Sequence, residues 1–175
     1  MNSALQRRPR WHARFGIPAM LIITVGCAGG EDVTPEAIAQ SRRLWTQANI
    51  RDYDLDLSIR GRNNAHYLVT VRGGEVRKIE MFQRDDSKVD LRSPKPESFN
   101  VDGLIRTIDE ELALAKSDRP FGQPKGTRVV MRFQPDAKLG YPHWYHRDVL
   151  GTSLSIAIEV ESMTPVPAGS KPRGP

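Results

Sequence analysis

Hydrophobic positions follow two periods along this chain. Ala37, Ile38, Leu44, Trp45 and Ala48 recur at helical spacing, with Arg42, Arg43 and Gln47 on the other side. Thr34 is placed to cap that helix, Pro35 suits its first turn, and the pattern ends near Asn49. The period then drops to two. Tyr53, Leu55, Leu57 and Ile59 alternate with Asp54, Asp56 and Ser58, which predicts a half-buried strand. A polar turn over 60–65 leads to a second strand, His66 to Arg72, with Tyr67, Val69 and Val71 on one side. Gly73-Gly74 supplies two positive-φ positions for a tight hairpin. A two-residue turn pairs Val71 with Val76 but Val69 with Lys78, so a bulge or a partly wet face is expected between Glu75 and Met81.

Gln83 to Phe99 is polar and contains Pro94 and Pro96, and is expected to be a long mobile connection without catalytic pattern. Asn100 caps a second predicted helix whose apolar stripe is Val101, Leu104, Ile105, Ile108, Leu112 and Ala115. Asp102, Asp109, Glu110 and Glu111 are expected on its solvated side. After a Gly/Pro-rich loop over 117–127, three more strands are predicted at 128–133, 143–149 and 153–160. Four prolines in the last eleven residues predict a disordered tail over 162–175. The expected fold is therefore a single α+β domain over 34–161: an antiparallel sheet of about six strands, two helices on one face, order α-βββ-α-βββ. The two similar halves hint at duplication, with no repeat visible residue by residue.

The first 26 residues are different in kind. Arg7, Arg8, Arg10 and Arg14 precede a ten-residue apolar run, Ile17 to Gly26, and the chain's one cysteine, Cys27, follows directly. Ten residues span about 15 Å as helix, half of a ~30 Å hydrocarbon core, which suits a secretory signal and not a membrane span. Thr24-Val25-Gly26-Cys27 is similar to the bacterial lipobox, although Leu is the stronger choice at the position of Thr24. The expected organisation is a signal peptide over 1–26 and a lipidated Cys27 with its tether over 27–33. Ala28 is not the Asp that marks inner-membrane retention, so the outer membrane is expected where the bacterium has one. A secreted, soluble protein is the alternative, at the cost of an unpaired reactive thiol.

Charge changes less than its total suggests. The net charge is +5, from 26 basic and 21 acidic residues, but the four leader arginines leave 22 and 21 over the remainder. A net of +1 does not argue for nucleic acid, and none is expected as a partner. At 38% hydrophobic and 27% charged, the chain is of ordinary globular composition.

Candidate chemistry is sparse. His143 and His146 point to opposite faces of a strand, which is poor geometry for chelating one metal, whereas His146 and Asp148 share a face and could form an acid–base pair. Asp54 and Asp56 lie about 6.5–7 Å apart on one strand face, as paired carboxylates can, although solvated acids alternating with buried Leu explain the same pattern. Trp144, Tyr145 and Arg147 are the residue types that make binding hot spots. No phosphate-binding loop, nucleophile elbow or zinc-helix motif occurs. Neither a metal nor a cofactor is expected.

Four motifs occur in order: Asp52-Tyr53; Val71-Arg72-Gly73-Gly74-Glu75-Val76; Val101-Asp102-Gly103-Leu104; and Asp136 to Gly140-Tyr141-Pro142 with the later Asp148. With them, over about residues 40–161, the chain resembles a family of small bacterial secreted lipoproteins catalogued as a domain of unknown function. The resemblance implies envelope location and an α+β fold but no established activity. Members often carry a cysteine pair between the first two strands, where this chain has Arg60 to Ala65. If the family shares a site, the resemblance points to Asp52, Tyr53, Arg72, Gly140, Tyr141, Pro142 and Asp148. For the Gly140–Pro142 turn an architectural role is the simpler expectation, since Gly140 can take a positive φ and Pro142 stiffens the chain.

The functional expectation is a lipid-anchored, non-catalytic envelope module. It would be held to the membrane through Cys27 and bind an envelope protein or cell-wall glycan through Trp144, His146 and the residues implied by the resemblance. The second reading is an inhibitor or accessory factor of an envelope enzyme, with the Gly140–Tyr145 loop as its probe. The third is a small hydrolase using His146 and Asp148.

Overall fold

The computed structural model describes residues 30–62, 64–82 and 87–167. The segment expected to be a signal peptide, Cys27 and residues from 168 onward lie outside the described residues.

Helix α1 (Pro35–Ala48) begins where Thr34 Oγ1 accepts the Ala37 amide at 3.1 Å. It ends at Asn49, which turns to φ +50° and bonds back to the Thr46 carbonyl. Its buried stripe is Ile38, Ser41 and Trp45. Helix α2 (Val101–Ala115) starts at Asn100, whose side chain accepts from Gly103 N at 2.7 Å, and buries Val101, Leu104, Ile105, Ile108 and Leu112 as its period predicts.

The strands are β1 (Glu31–Asp32), β2 (Tyr53–Arg60), β3 (Ala65–Arg72), β4 (Glu75–Phe82), β5 (Lys88–Asp90), β6 (Val129–Pro135), β7 (Pro142–Val149) and β8 (Ser155–Pro165). They form one antiparallel sheet in the order β1-β6-β7-β8-β2-β3-β4-β5. The fold is thus α+β with two helices, but the sheet has eight strands where about six were expected, and the chain order is correspondingly longer. The two extra strands are the short edges. Glu31 and Asp32, expected as tether, pair with Phe133 and Arg132, and Lys88–Asp90 pairs with β4. The segment after Gln83, expected to be a mobile connection, also holds a single 3-10 turn at Pro96–Phe99, and Phe99 meets Tyr67 edge-on at 5.2 Å.

The last strand overruns its expected end as well. Residues 162–165, assigned by composition to the tail, pair with Tyr53 to Asp56, and Val166 N donates to Asp52 O at 2.8 Å. Proline ends a strand only where its missing N–H is needed, and an edge of the ladder tolerates it. Each helix is followed by a three-stranded meander, β2-β3-β4 and β6-β7-β8. The two meanders join side by side through β8 and β2. That arrangement is the spatial counterpart of the two similar halves.

Two of the three register shifts among the described strands bear on which residues face the core and which the outer face. In the β3–β4 hairpin the register shifts after Val71↔Val76, so that Thr70 faces Lys78 and Val69 faces Ile79, not Lys78. The extra residue, Arg77, brings Ile79 into the core. Between β2 and β8 the register runs Asp56↔Ser162 then Leu57↔Val160, which leaves Glu161 as the extra residue. One core results, with both helices on one face over Tyr53, Leu55, Leu57, Val69, Val71, Phe133, Tyr145, Ile158 and Val160. Burying each such apolar side chain is worth about 1.5–3 kcal/mol, which stabilises the domain without a disulfide. Among the described residues no helix is long and apolar enough to cross a membrane.

Candidate functional site

Strand alternation that buries Leu55, Leu57 and Val69 turns Asp54, Asp56, Thr70 and Arg72 to the sheet's other face. This outer face stays half-exposed. A shallow groove of about 260 Å³ runs across β3, β2 and β8 there, lined among others by Asp54, Asp56, Thr70, Arg72, Glu80 and Ser162. Arg72 Nη1 lies 2.8 Å from Asp54 Oδ1 and also donates to the carbonyls of Tyr53 (2.9 Å) and Val71 (2.7 Å). Its guanidinium is therefore pinned to the groove wall.

Farther along the same face of β2, the Asp56 carboxylate contacts His66 Nε2, and the His66 ring stacks on Phe82 at 4.6 Å and 13°. Glu161, the bulge residue of β8, accepts from Ser58 Oγ at 2.6 Å. On the β7 side, Trp144 stacks on His146 at 5.8 Å, and His146 Nε2 is 3.5 Å from Asp148 Oδ2. His143 is exposed and meets only a carbonyl, that of Val160, at 3.2 Å.

The residues implied by the family resemblance do not converge on one pocket. Asp148 pairs with Ser155 at the start of β8, whereas Asp52 receives Val166 beyond its end. Some ten strand residues separate those positions, a span of about 30 Å. Asp52, Tyr53 and Arg72 do come together, as scaffold. Asp52 Oδ1 accepts from Gly73 N at 2.6 Å, which fastens the β3–β4 turn to the start of β2. The Tyr53 hydroxyl accepts from Val101 N at 3.1 Å, which satisfies one of the free amides at the start of α2. Burial is the chief cause that pushes this phenol up to about 12; the Val101 bond opposes the shift and Asp102 adds to it. Trp45 Nε1 donates to Asp102 Oδ2 at 3.3 Å, and Asn100 Nδ2 to Gly74 O at 3.2 Å. Three of the four motifs are thus bonded into one joint between helix, strand and hairpin.

The fourth motif locks a different corner. Asp136 Oδ1 accepts from the amides of Lys138 and Leu139, and Gly140 sits at φ +76°. The buried hydroxyl of Ser41 donates to the Gly140 carbonyl. Tyr141 packs against the core, where burial and then Asp136 raise its phenol, and Pro142 is buried.

The structure also corrects the reading of Glu111 as solvated. Its side chain is 14% exposed, accepts from Arg147 Nη1 at 2.7 Å and takes the hydroxyl proton of Tyr145 in a hydrogen bond. Tyr145 therefore points to α2 and not to solvent. Its phenol is raised by burial first and by Glu111 second. Glu111 stands on α2 at the border of its apolar stripe, where period alone cannot tell a wet acid from a buried one. Glu161 was likewise missed, because only the bulge turns it toward Ser58.

No known family model matches the chain, and no curated protein does either.

Proposed function

We propose that this chain is an exported protein, lipid-anchored to the cell envelope through Cys27, that binds an envelope protein or cell-wall glycan as a non-catalytic module. The observation that carries the binding role is the outer sheet face, where a groove and the Trp144–His146 stack lie opposite the two helices. Two polar contacts on it are already made, Arg72 with Asp54 and His146 with Asp148. Fixed pairs of this kind suit recognition by shape and hydrogen bonding. The Gly140–Tyr145 loop is a poorer probe, because Gly140 is clamped to α1 and Tyr145 is buried.

The anchor rests on the basic leader, its apolar run and the position of Cys27. Several acyl chains on Cys27 would hold the domain stably, where a single chain is marginal. Metabolic labelling with a clickable fatty acid tests it: label is expected on the wild-type chain and absent from Cys27→Ala. Label that persists in Cys27→Ala overturns the anchor. Pull-down from membranes, comparing wild type with Trp144→Ala and Thr70→Glu, tests the face. Every partner recovered equally by all three chains would overturn its role.

A further inference from the structure

Asp56, His66 and Glu161 offer one imidazole nitrogen and two carboxylates that lie within 4.8 Å of one another on the outer face. We propose that they form a binding site for a single divalent transition-metal ion, best matched by Zn²⁺, which extends the function beyond recognition by the groove.

Three neighbouring strands supply one ligand each. β2 is central and carries Asp56, β3 carries His66 opposite Ser58, and β8 carries Glu161. Asp56 and His66 are diagonal neighbours on one face, within reach of each other. Glu161 joins them because it is the unpaired residue of the β2–β8 bulge, a device that re-aims side chains. Tetrahedral Zn²⁺ with bonds of about 2.0–2.2 Å holds its ligand atoms roughly 3.3–3.5 Å apart. Side-chain rotation of ~1.5 Å from the present spacing reaches that geometry, with the Asp56–His66 contact opening to admit the ion.

Charge points the same way. Among the described residues neither Asp56 nor Glu161 is paired with a lysine or arginine, since Arg60 is engaged by Glu159 and Arg72 by Asp54. Two carboxylates therefore share one imidazole and one hydroxyl, and a divalent cation neutralises them. The supporting shell is in place: Ser58 fixes one oxygen of Glu161, and Phe82 holds the plane of the His66 ring. The His66 and Asp56 side chains are 37% and 30% exposed, so an ion could enter from solvent and keep water in its remaining position. One imidazole with two carboxylates favours Zn²⁺ over Ca²⁺, which takes oxygen ligands alone.

The test is a Zn²⁺ titration of the full chain, without a polyhistidine tag, in competition with a chromophoric chelator. One ion per wild-type chain is expected, with affinity lowered at least about tenfold in His66→Gln, Asp56→Asn and Glu161→Gln. His143→Gln and His146→Gln should bind as wild type. Co²⁺ substitution provides a second readout, an intense tetrahedral visible band that is lost in Glu161→Gln. Circular dichroism melts in chelator establish that the variants are folded; Glu161 is exposed, so its variant reports even if His66→Gln unfolds. Absence of binding to wild type overturns the site. So does binding that survives in Glu161→Gln, or that is lost instead on removal of His146 or Cys27.

Discussion

Glu111 of α2 and Arg147 of β7 meet at 2.7 Å with their side chains only 14% and 11% exposed. The Tyr145 hydroxyl bonds the same carboxylate, and the Arg147 guanidinium lies 4.2 Å over the ring of Phe121. Phe121 adopts φ +51° to place its ring there, an unusual conformation for a bulky residue. Helix and sheet are thereby joined through one charge pair that is largely withdrawn from solvent. Removal of one partner leaves the other charge largely desolvated and uncompensated, so Glu111→Ala should cost about 3–5 kcal/mol. Replacing both, as Glu111→Leu with Arg147→Met, should recover most of that loss. Urea denaturation of the three chains measures both effects, and a double variant no more stable than the single one would refute this account.

Alkali should weaken the fold through Tyr53. Its phenol has an ordinary value of 10.0 and is pushed up to about 12 in the folded protein, chiefly by burial. Below pH 10 both folded and unfolded states hold the proton, and the stabilising contribution is complete. Between pH 10 and 12 only the folded state holds it, so stability falls as pH rises, by up to about 2–3 kcal/mol. Tyr145 is raised for the same reason and adds to the loss. Tyr53→Phe should cost about 1–3 kcal/mol at neutral pH, because Val101 N–H loses its acceptor. The gap between the two chains should narrow above pH 10. Denaturation curves taken from pH 7 to 12 check it; a constant gap would refute it.

Two glycines with similar φ should respond very differently to alanine. At Gly140 (φ +76°) a Cβ would stand 2.4 Å from the Ser41 carbonyl oxygen and 2.6 Å from Leu44 Cβ, so α1 would have to move. At Gly73 (φ +65°) nothing lies within 4 Å. Gly73→Ala should cost only the left-handed backbone penalty of about 1–2 kcal/mol. Gly140→Ala should cost clearly more. Thermal melts of the two variants make the comparison.

The β4 bulge makes an uncommon deletion tolerable. Arg77 is the extra residue that shifts Val69 from Lys78 to Ile79. Without it, a regular two-residue hairpin pairs Val69 with Ile79 directly. Deletion of Arg77 should change stability by no more than about 1 kcal/mol, and leave the amides of Lys78 and Glu80, which face Thr70 and Leu68 across the ladder, protected from exchange. Loss of that protection would mean the register is held by other forces.

Much of the domain was legible in the residues themselves. Both helices start at Thr34 and Asn100, and Tyr53 to Ile59 and Gly73-Gly74 form the strand and turn that their pattern predicts. These features depend on neighbours a few residues apart, where capping, periodicity and turn conformation act. The edge strands were not legible, because Glu31–Asp32 and Lys88–Asp90 carry no apolar pattern and exist only by pairing with β6 and β4. The extension of β8 through Pro165 was hidden for the same reason.

The candidate site divides along the same line. The family resemblance pointed to Asp52, Tyr53, Arg72 and Gly140, and contacts between distant segments made them joints of the scaffold. The sequence marked Asp56 as one acid in an alternating row, and said nothing of its meeting with His66 and Glu161. Composition and period determined a near-neutral α+β domain behind a basic N-terminal segment. Tertiary structure decided which polar residues are buried, which are paired and which remain to bind, because a bulge or a strand pairing moves a carboxylate by several ångströms without any local trace in the chain.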